Sequence, residues 1–311
     1  MDLERHEIET VTADVARLRI AFANVFFVGA PGSPWALVDA GLSLGAAQIL
    51  EVASERYGPE SRPAGIVLTH GHFDHVGALE PLLGVWDVPV YAHPLELPYL
   101  TGHADYPPPD PTVGQGLMAR LSPLFPEKGI DLGDRVHALP ESGDVPGMPG
   151  WRWVHTPGHS PGHVSLVRDE DRMLIAGDAI TTTRPESVFS VLTQRQELGG
   201  PPAYFTIDWD KARRSVERLA LLKPTLVASG HGRPLRGEHL PADLAKIARE
   251  FDHRVRPRRG RYVNQPAVTD EQGVIVLPPP IRSGGVHWGM LSGVAATAFA
   301  GTWLLRRFGK A

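Results

Sequence analysis

The chain has 311 residues, of which 42% are apolar and 21% are charged, a balance typical of a folded globular protein and not of a disordered one. Its 31 lysines and arginines and 35 aspartates and glutamates give a net charge of -4, so the chain has no overall positive field that would attract nucleic acid or anionic lipid. Cysteine is absent, which excludes disulfide bonds, thiolate metal sites, iron–sulfur clusters and cysteine nucleophiles and leaves any metal to histidine and carboxylate side chains.

Acidic side chains in the N-terminal stretch leave no apolar core for a secretory signal. We therefore expect a cytoplasmic domain. Beyond this stretch, short apolar runs alternate with segments of helical spacing. In chain order the pattern predicts strands at 15–20, 24–28 and 35–38, a helix over 42–57, a strand at 65–69, a helix over 76–83, strands at 88–92, 151–155, 164–167 and 173–176, a helix over 209–222 and a strand at 225–229. This succession predicts an α/β fold built of layers, with functional side chains at strand ends.

Two segments interrupt the alternation. Residues 94–130 are rich in proline and contain one short amphipathic stretch near 117–124. A segment of this length without regular structure inside a domain is commonly functional. Residues 251–282 combine a cluster of arginines with several prolines, which predicts a surface arm or a linker.

The C-terminal residues 283–311 have a composition of their own. The 23 residues from Ser283 to Leu305 include no lysine, arginine, aspartate or glutamate. As a helix they would extend about 34 Å, enough for the roughly 30 Å of bilayer hydrocarbon. Many of the side chains are small, however, so two interpretations stay open: residues 286–305 form a single membrane helix, or the tail packs on the protein.

Further features of the tail bear on this choice. Trp288 and Trp303 would lie about 22 Å apart on a helix, close to the spacing of two interfacial aromatic belts. Small residues recur every fourth position and would let two such helices pack as a homodimer; they are Gly289, Gly293, Thr297 and Gly301. The basic residues after Leu305 oppose the membrane interpretation, because in a tethered cytoplasmic protein they would have to cross the membrane.

Metal-capable side chains are concentrated in a short loop after the predicted strand at 65–69. The sequence His70-Gly71-His72-Phe73-Asp74-His75 places three histidines and one aspartate within six positions. His70 and His72 can bind one ion while Asp74 and His75 face a neighbouring one. Taken alone, the motif would also fit a solvated histidine-rich loop.

Three more fragments make a metal site the better interpretation, because each follows an apolar strand. They are Thr156-Pro157-Gly158-His159, Gly177-Asp178 and Ser229-Gly230-His231-Gly232. Together the four fragments supply five histidines and two aspartates, which is enough for two sets of nitrogen and oxygen ligands that share one carboxylate. This donor set fits zinc best, although iron and manganese stay open.

The order of these four motifs resembles the metallo-β-lactamase superfamily, in its broad glyoxalase-II-like branch of hydrolases. The resemblance covers about residues 15–240 and implies an αββα sandwich with a two-metal site at one edge of the sheets. It implies a catalytic domain over residues 1–250, followed by the arm at 251–282 and the apolar tail at 283–311. It further implies the ligand sets: His70, His72 and His159 for one metal, Asp74, His75 and His231 for the other, and Asp178 bridging the two.

Two further residues take roles from the resemblance. Asp39, in the sequence LVDAG, matches a carboxylate that orients a ligand histidine, although an aspartate before glycine is also typical of a strand-end turn. His163, four residues after His159, matches a position that is usually structural, so we do not expect it to bind metal.

The predicted reaction is hydrolysis. Two divalent ions lower the pKa of a bridging water, so the hydroxide that bridges them can attack a carbonyl, with Asp74 orienting that water or relaying its proton. Thr181 stands where acyl-homoserine lactonases have tyrosine, and residues 180–190 offer only Arg184 and Phe189 as a basic and an aromatic group for glutathione. These two departures argue against acyl-homoserine lactones and glutathione thioesters. We therefore expect another small-molecule acyl substrate, namely a different ester, thioester or lactone.

Two other functional classes stay open. A phosphodiesterase or nuclease of the same fold would use the same metals, with the arginines between residues 254 and 261 holding phosphate, although the acidic chain argues against a nucleic-acid partner. A metal-binding scaffold without activity would keep the fold but lose ligands, whereas all seven are present here.

Substrate selectivity is expected from the loops around the metals. Residues 94–130 lie between the first two ligand motifs, so with residues 184–206 we expect them to wall the cleft. Tyr99, His103 and Tyr106 are the candidate substrate contacts.

Overall fold

The computed structural model describes residues 8–114 and 116–281. The chain divides into two units, residues 1–279 and residues 280–311. All strands and helices described below belong to the first unit.

Seven consecutive strands form the first sheet, in spatial order β1 to β7. They are β1 (Ile8–Thr10), β2 (Val15–Ile20), β3 (Ala23–Val28), β4 (Ala36–Val38), β5 (Ile66–Val67), β6 (Val90–Ala92) and β7 (Val136–Ala138). Strands β1 to β4 pair antiparallel through tight connections. Strands β4 to β7 pair parallel, and the connections between them contain the helices and the first metal-ligand motif.

Five strands form the second sheet, in the order β12-β11-β10-β9-β8. They are β8 (Trp151–His155), β9 (Val164–Arg168), β10 (Met173–Ile175), β11 (Leu226–Ala228) and β12 (Leu235–Arg236). Only β10 and β11 pair parallel, so these two strands end at the same edge of the sheet. A separate two-stranded ribbon consists of β13 (Val268–Asp270) and β14 (Gly273–Val276).

Nine α-helices accompany the strands in the described part of the chain. They are α1 (Ala46–Tyr57), α2 (Phe73–Val76), α3 (Leu79–Val85), α4 (Leu97–Leu100), α5 (Leu117–Leu121), α6 (Val188–Thr193), α7 (Trp209–Leu221), α8 (Leu240–Arg249) and α9 (Phe251–Arg254). Asp208 caps the start of α7 by accepting the Lys211 N–H at 2.9 Å. Helix α1 ends at Gly58, which takes a positive φ of 102°.

Apolar residues fill three layers between these elements. One core lies between the two sheets, a second between the first sheet and helices α1 and α3, and a third between the second sheet and helices α7 and α8. Strand β3 shows how the layers arise: Phe26 and Val28 face the second sheet, while Val25 and Phe27 face the helices. Because both faces of the sheet are covered, its inner strands are apolar along their whole length. The predicted αββα arrangement is confirmed.

Most predicted elements are present, with local differences at their ends. The helix predicted over 42–57 begins at Ala46, because a turn of 3₁₀ helix occupies Ser43–Gly45. The helix predicted over 76–83 is two short helices, α2 and α3, separated by Gly77 and Ala78. This break lets the first metal-ligand motif turn away from α3.

The segment predicted as a surface arm or linker is instead part of the first unit. Phe251, Tyr262 and Ala267 are buried in the core beside α7 and α8. The prediction was wrong because the apolar residues of this segment lie among arginines and prolines and are too widely spaced to give a periodic pattern. The chain divides after Pro279 and not at residue 250.

Within the described residues, the structure has no helix both long and apolar enough to cross a membrane. The membrane helix predicted over residues 286–305 lies outside the described part of the chain.

Candidate metal centre

The first ligand motif occupies the connection after β5. His70 and His72 precede α2, and the backbone of that helix presents Asp74 and His75. The carbonyl of His72 accepts the His75 N–H at 2.8 Å, which closes the first turn of α2. Because the helix is only four residues long, its ligands lie close to the two that precede it.

The remaining ligand candidates come from the second sheet. His159 lies between β8 and β9, Asp178 follows β10, and His231 follows β11. Strands β10 and β11 run parallel, so the residues after them lie at one edge of the sheet. The ligand candidates of the second sheet therefore lie together at this edge, close to those that follow β5 of the first sheet.

All seven predicted ligands are buried and lie close together. The structure forms three groups whose ligand atoms lie within 4.8 Å of one another: His70, His72 and His159; His70, His75 and Asp178; and Asp74, His75 and His231. The first and third groups are the sets that the resemblance assigned to the two metals. Asp178 contacts members of both sets, with Oδ2 at 3.4 Å from His159 Nε2 and 3.1 Å from His231 Nε2.

Several buried atoms in this cluster have no hydrogen-bond partner in the structure. They are His70 Nε2, His75 Nε2, His159 Nδ1 and Asp178 Oδ1. A buried polar atom without a partner costs about 1–3 kcal/mol, so such a concentration requires an explanation. The Nδ1 of His72 and the Nε2 of His159 also face each other at 3.0 Å. A cation held by these nitrogen and oxygen atoms would satisfy them, and the residues therefore fit divalent metal ions.

Burial sets the charge of the three-histidine group. Desolvation and the neighbouring imidazoles lower the pKa of His70 and His159 well below the usual value, and they lower the pKa of His72 to about 3. These imidazoles are therefore neutral near pH 7, which is the form that binds a metal.

In the group of Asp74, His75 and His231, contacts between carboxylates and imidazoles compete with burial, and the shared Asp178 takes part. Burial opposes ionisation of Asp178, but His231 and His75 outweigh it and hold the pKa of Asp178 well below the usual value. Burial likewise opposes protonation of His231, yet the Asp178 carboxylate raises the pKa of His231 to about 9. For Asp74, burial is the larger effect and raises the pKa.

Hydrogen bonds from outside the cluster orient the ligand imidazoles. His75 Nδ1–H donates to Asp39 Oδ2 at 2.8 Å, and His231 Nδ1–H donates to the Phe22 carbonyl at 2.9 Å. Both bonds engage Nδ1, so Nε2 is the nitrogen that would bind a metal. Asp39 also accepts the Thr69 N–H at 2.8 Å. This contact agrees with the orienting role predicted for Asp39, which takes a left-handed backbone conformation with φ of 60°.

His163 supports the cluster without offering a ligand atom. Its Nδ1 lies 2.9 Å from Thr156 Oγ1, and its Nε2 accepts the Asp178 N–H at 2.8 Å. Since both nitrogens have partners, the expectation that His163 is structural agrees with its surroundings.

The candidate substrate contacts are placed differently from one another. The Tyr106 ring lies against His72 with centroids 4.7 Å apart, and Tyr99 is buried behind it in a stacked pair at 4.1 Å. His103 is instead exposed, with Nδ1 2.7 Å from Thr101 Oγ1. The structure does not bring His103 to the metal cluster.

Sequence reasoning missed the aromatic residues around the cluster. Phe205 lies 4.7 Å from the His72 ring, and Phe22 stacks near His231 at 6.1 Å. Phe73 contacts Phe125 at 5.6 Å. Three of these residues had a signal in the sequence: Phe73 lies inside the ligand motif, and Phe125 and Phe205 belong to the segments 94–130 and 184–206 that were expected to wall the cleft.

Sequence reasoning also missed Glu96, which is fully buried and accepts hydrogen bonds from both loops that carry the three-histidine group. A signal was present: Glu96 stands alone between leucines in the sequence HPLELPYL. An acidic residue in so apolar a stretch is seldom buried without a specific partner.

Comparison with known proteins agrees with the geometry. A family model described as the metallo-beta-lactamase superfamily matches residues 19–231. The chain therefore belongs to the metallo-beta-lactamase superfamily, and together with the metal-ligand cluster this identifies it as a metal-dependent hydrolase.

Two curated relatives come from Bacillus subtilis (strain 168). The chain is 49% identical over 233 residues to the probable metallo-hydrolase YflN, covering 74% of this chain and 88% of YflN. It is 31% identical over 170 residues to the probable metallo-hydrolase YybB, covering 55% of this chain and 64% of YybB. Among solved structures, the superfamily protein ST1585 from Sulfolobus tokodaii matches with a TM-score of 0.51 and 20% identity, covering 77% of this chain and 84% of that one, which shows the shared fold.

Proposed function

We propose that this enzyme holds two divalent metal ions, with zinc as the metal assigned, and hydrolyses an ester, thioester or lactone in the manner of the glyoxalase-II-like branch. The observation that carries the two-metal proposal is Asp178, whose Oδ2 contacts a histidine of each ligand group while Oδ1 has no hydrogen-bond partner. A carboxylate in this position can serve two ions at once.

The residues divide between two metal positions. His70, His72 and His159 would hold one ion and Asp74, His75 and His231 the other, with Asp178 shared. When bound, two such ions polarise a carbonyl oxygen and lower the pKa of water. Zinc is the assignment because neutral imidazole and carboxylate suit it and the chain has no thiolate to offer.

The protein contributes a proton acceptor and aromatic side chains beside the ligand candidates. Asp74 is almost completely buried, with Oδ2 at 3.5 Å from His231 Nε2 and 4.0 Å from His75 Nε2. We assign its carboxylate to orient the attacking water and to carry a proton toward the leaving group. Phe22, Phe73 and Phe205 beside the ligands keep bulk water away from the reacting carbonyl.

The surroundings favour a carbonyl substrate over a phosphodiester. Phenylalanine side chains lie around the ligands, and such a wall suits a neutral, apolar acyl group. Two of the five arginines predicted to hold phosphate pair with neighbouring carboxylates: Arg254 with Glu250 at 2.9 Å, and Arg256 with Asp252 at 3.1 Å. These two are therefore less available to a phosphate group.

The test is a hydrolysis panel with the zinc-loaded protein. It includes p-nitrophenyl esters, acyl thioesters, lactones and bis(p-nitrophenyl) phosphate, each also assayed with Asp178→Ala. We expect turnover of carbonyl substrates that this substitution abolishes. Turnover of the phosphodiester alone would overturn the substrate proposal in favour of the phosphodiesterase alternative. Stoichiometric metal without turnover of any class would favour the scaffold alternative.

A further inference from the structure

Glu96 joins two loops that are distant in sequence. It is fully buried and stands directly before helix α4. Its Oε2 accepts the Gly71 N–H at 2.9 Å and the Tyr106 hydroxyl. Its Oε1 accepts the Ser160 hydroxyl and the Gly162 N–H, both at 2.7 Å. Each carboxylate oxygen therefore binds one of the two loops.

Both loops carry metal ligands. Gly71 lies between His70 and His72, and Ser160 follows His159 directly. These three histidines are the ligand group of one proposed metal position. By contrast, the ligands Asp74, His75 and His231 are not flanked by a hydrogen-bond partner of Glu96.

The backbone approaches this carboxylate too closely for other residues. A Cβ added at Gly162 would lie 2.8 Å from Glu96 Cγ. A Cβ added at Gly71 would overlap the Tyr106 hydroxyl. Gly162 is thus required in part by its contact with Glu96, and Gly71 by its contact with Tyr106, whose hydroxyl donates to Glu96.

We infer that Glu96 is a positioning residue that fixes the distance between the loops of His70, His72 and His159 and so sets metal affinity at that position. The inference rests on the proposed metal centre. Burying a carboxylate is costly unless every oxygen is satisfied, and an apolar side chain would fill the same space at lower cost. Holding two ligand loops at a fixed separation is a benefit that an apolar residue could not supply.

Glu96→Gln is the informative substitution because it preserves shape while removing one acceptor. Whichever way the amide is oriented, its NH₂ group faces a backbone N–H, of either Gly71 or Gly162. One loop is therefore released. We expect zinc affinity at the three-histidine position to fall about 10–100-fold, with affinity at the other position nearly unchanged.

Competition with a chelator measures the two zinc affinities, and the absorption spectrum of the cobalt-substituted protein reports the geometry of the ligands. Asp110→Asn is the matched control, because Asp110 is also a buried carboxylate that accepts backbone N–H groups, those of Thr112 and Arg261. We expect this control to lower the unfolding temperature without changing either zinc affinity. An equal loss of affinity in both variants would show a general effect of destabilisation and would overturn the inference.

Ser160→Ala provides a milder version, because it removes one hydroxyl donor and leaves the carboxylate in place. If Glu96→Gln does not fold, this variant decides: a selective loss at the three-histidine position supports the inference, and unchanged affinity overturns it. Failure of the proposed function gives a different result, because the unsubstituted protein would then bind fewer than two zinc ions. Two tight zinc ions in both the unsubstituted protein and Glu96→Gln would refute only the role of Glu96.

Discussion

Asp178 contacts His231 at 3.1 Å and His159 at 3.4 Å, so a single side chain reaches both proposed metal positions. We predict that Asp178→Ala lowers zinc content at both positions, from two ions per chain to one or fewer. Elemental analysis after dialysis against excess zinc measures this.

Asp208→Ala is a suitable control for that substitution. Asp208 is a buried aspartate that caps α7 through the Lys211 N–H and makes no contact with a ligand candidate in the described structure. Its loss should destabilise the fold by about 1 kcal/mol while zinc content stays at two. Full zinc content in Asp178→Ala would contradict the shared-ligand prediction.

Asp39 acts on the metal through His75, whose Nδ1–H it accepts at 2.8 Å. We predict that Asp39→Asn weakens zinc binding about 10–100-fold at the position of Asp74, His75 and His231, because His75 loses a charged partner. The effect at the other position is expected to be smaller, because Asp39 reaches His70 only through the Thr69 hydroxyl, with Thr69 Oγ1 at 2.8 Å from Asp39 and 3.1 Å from His70 Nδ1. The two-site chelator titration distinguishes the positions. Equal weakening of both sites would show that Asp39 supports the fold and not His75 in particular.

The irregular segment 94–130 contributes Phe125 to the aromatic wall beside the ligand candidates, which also includes Phe22, Phe73 and Phe205. Phe125 is half-buried, with its ring 5.6 Å from Phe73 and 6.1 Å from Phe205. We predict that Phe125→Ala changes the ratio of kcat/KM between a bulky and a small acyl ester by about tenfold, because removing the ring enlarges the space for the acyl group.

Steady-state kinetics on a series of acyl esters tests this prediction, with zinc content as a check on the metal centre. Leu221→Ala serves as the control, since Leu221 is an exposed apolar residue at the end of α7. An acyl preference that is the same in Phe125→Ala and the unsubstituted enzyme would place the selectivity elsewhere in the wall.

Strands β6 and β8 bring two histidines together outside the metal centre. The rings of His93 and His155 stack at 4.0 Å, and His93 Nδ1 accepts the Leu95 N–H at 3.2 Å. Burial, with a smaller contribution from His155, lowers the pKa of His93 from 6.5 to about 4. Protonated His93 would lose the hydrogen bond with Leu95 and repel His155, so the folded state favours the neutral ring.

This shift makes stability depend on pH in a defined direction. Because the folded-state pKa is depressed, the contribution of His93 is complete above about pH 6.5 and is lost as the pH falls toward 4. We predict that His93→Asn, which keeps an acceptor for the Leu95 N–H, loses less unfolding free energy between pH 7 and pH 5 than the unsubstituted protein. Urea unfolding at the two pH values measures the difference; equal losses would contradict the assigned pKa shift.

The tail at residues 283–311 contains the segment for which a membrane helix is predicted. We propose that residues 286–305 tether the enzyme, on the length of the uncharged run and the spacing of its two tryptophans. The full chain is then expected in the membrane fraction and a chain ending at Arg282 in the supernatant. Recovery of both chains without detergent in the supernatant would refute the tether.

The fold class and the candidate metal ligands could be predicted from sequence alone. The apolar strands and the four motifs at their ends are local features, since each depends on residues within about ten positions of one another. Motif order alone predicts the seven candidate ligands, because the resemblance transfers position by position. It also predicts that Asp39 orients a ligand histidine and that His163 does not bind metal.

Several of the residues around those ligand candidates become apparent only in the folded structure. Glu96 and Phe205 reach the metal cluster from segments without a periodic pattern, and Phe125 packs against Phe205 behind it. Their partners lie far away along the chain. Residues of the arginine-rich segment likewise belong to the core, because a few separated apolar residues pack beside α7 and α8. Contacts of this kind depend on where folding brings distant segments, a property that no local window of sequence contains.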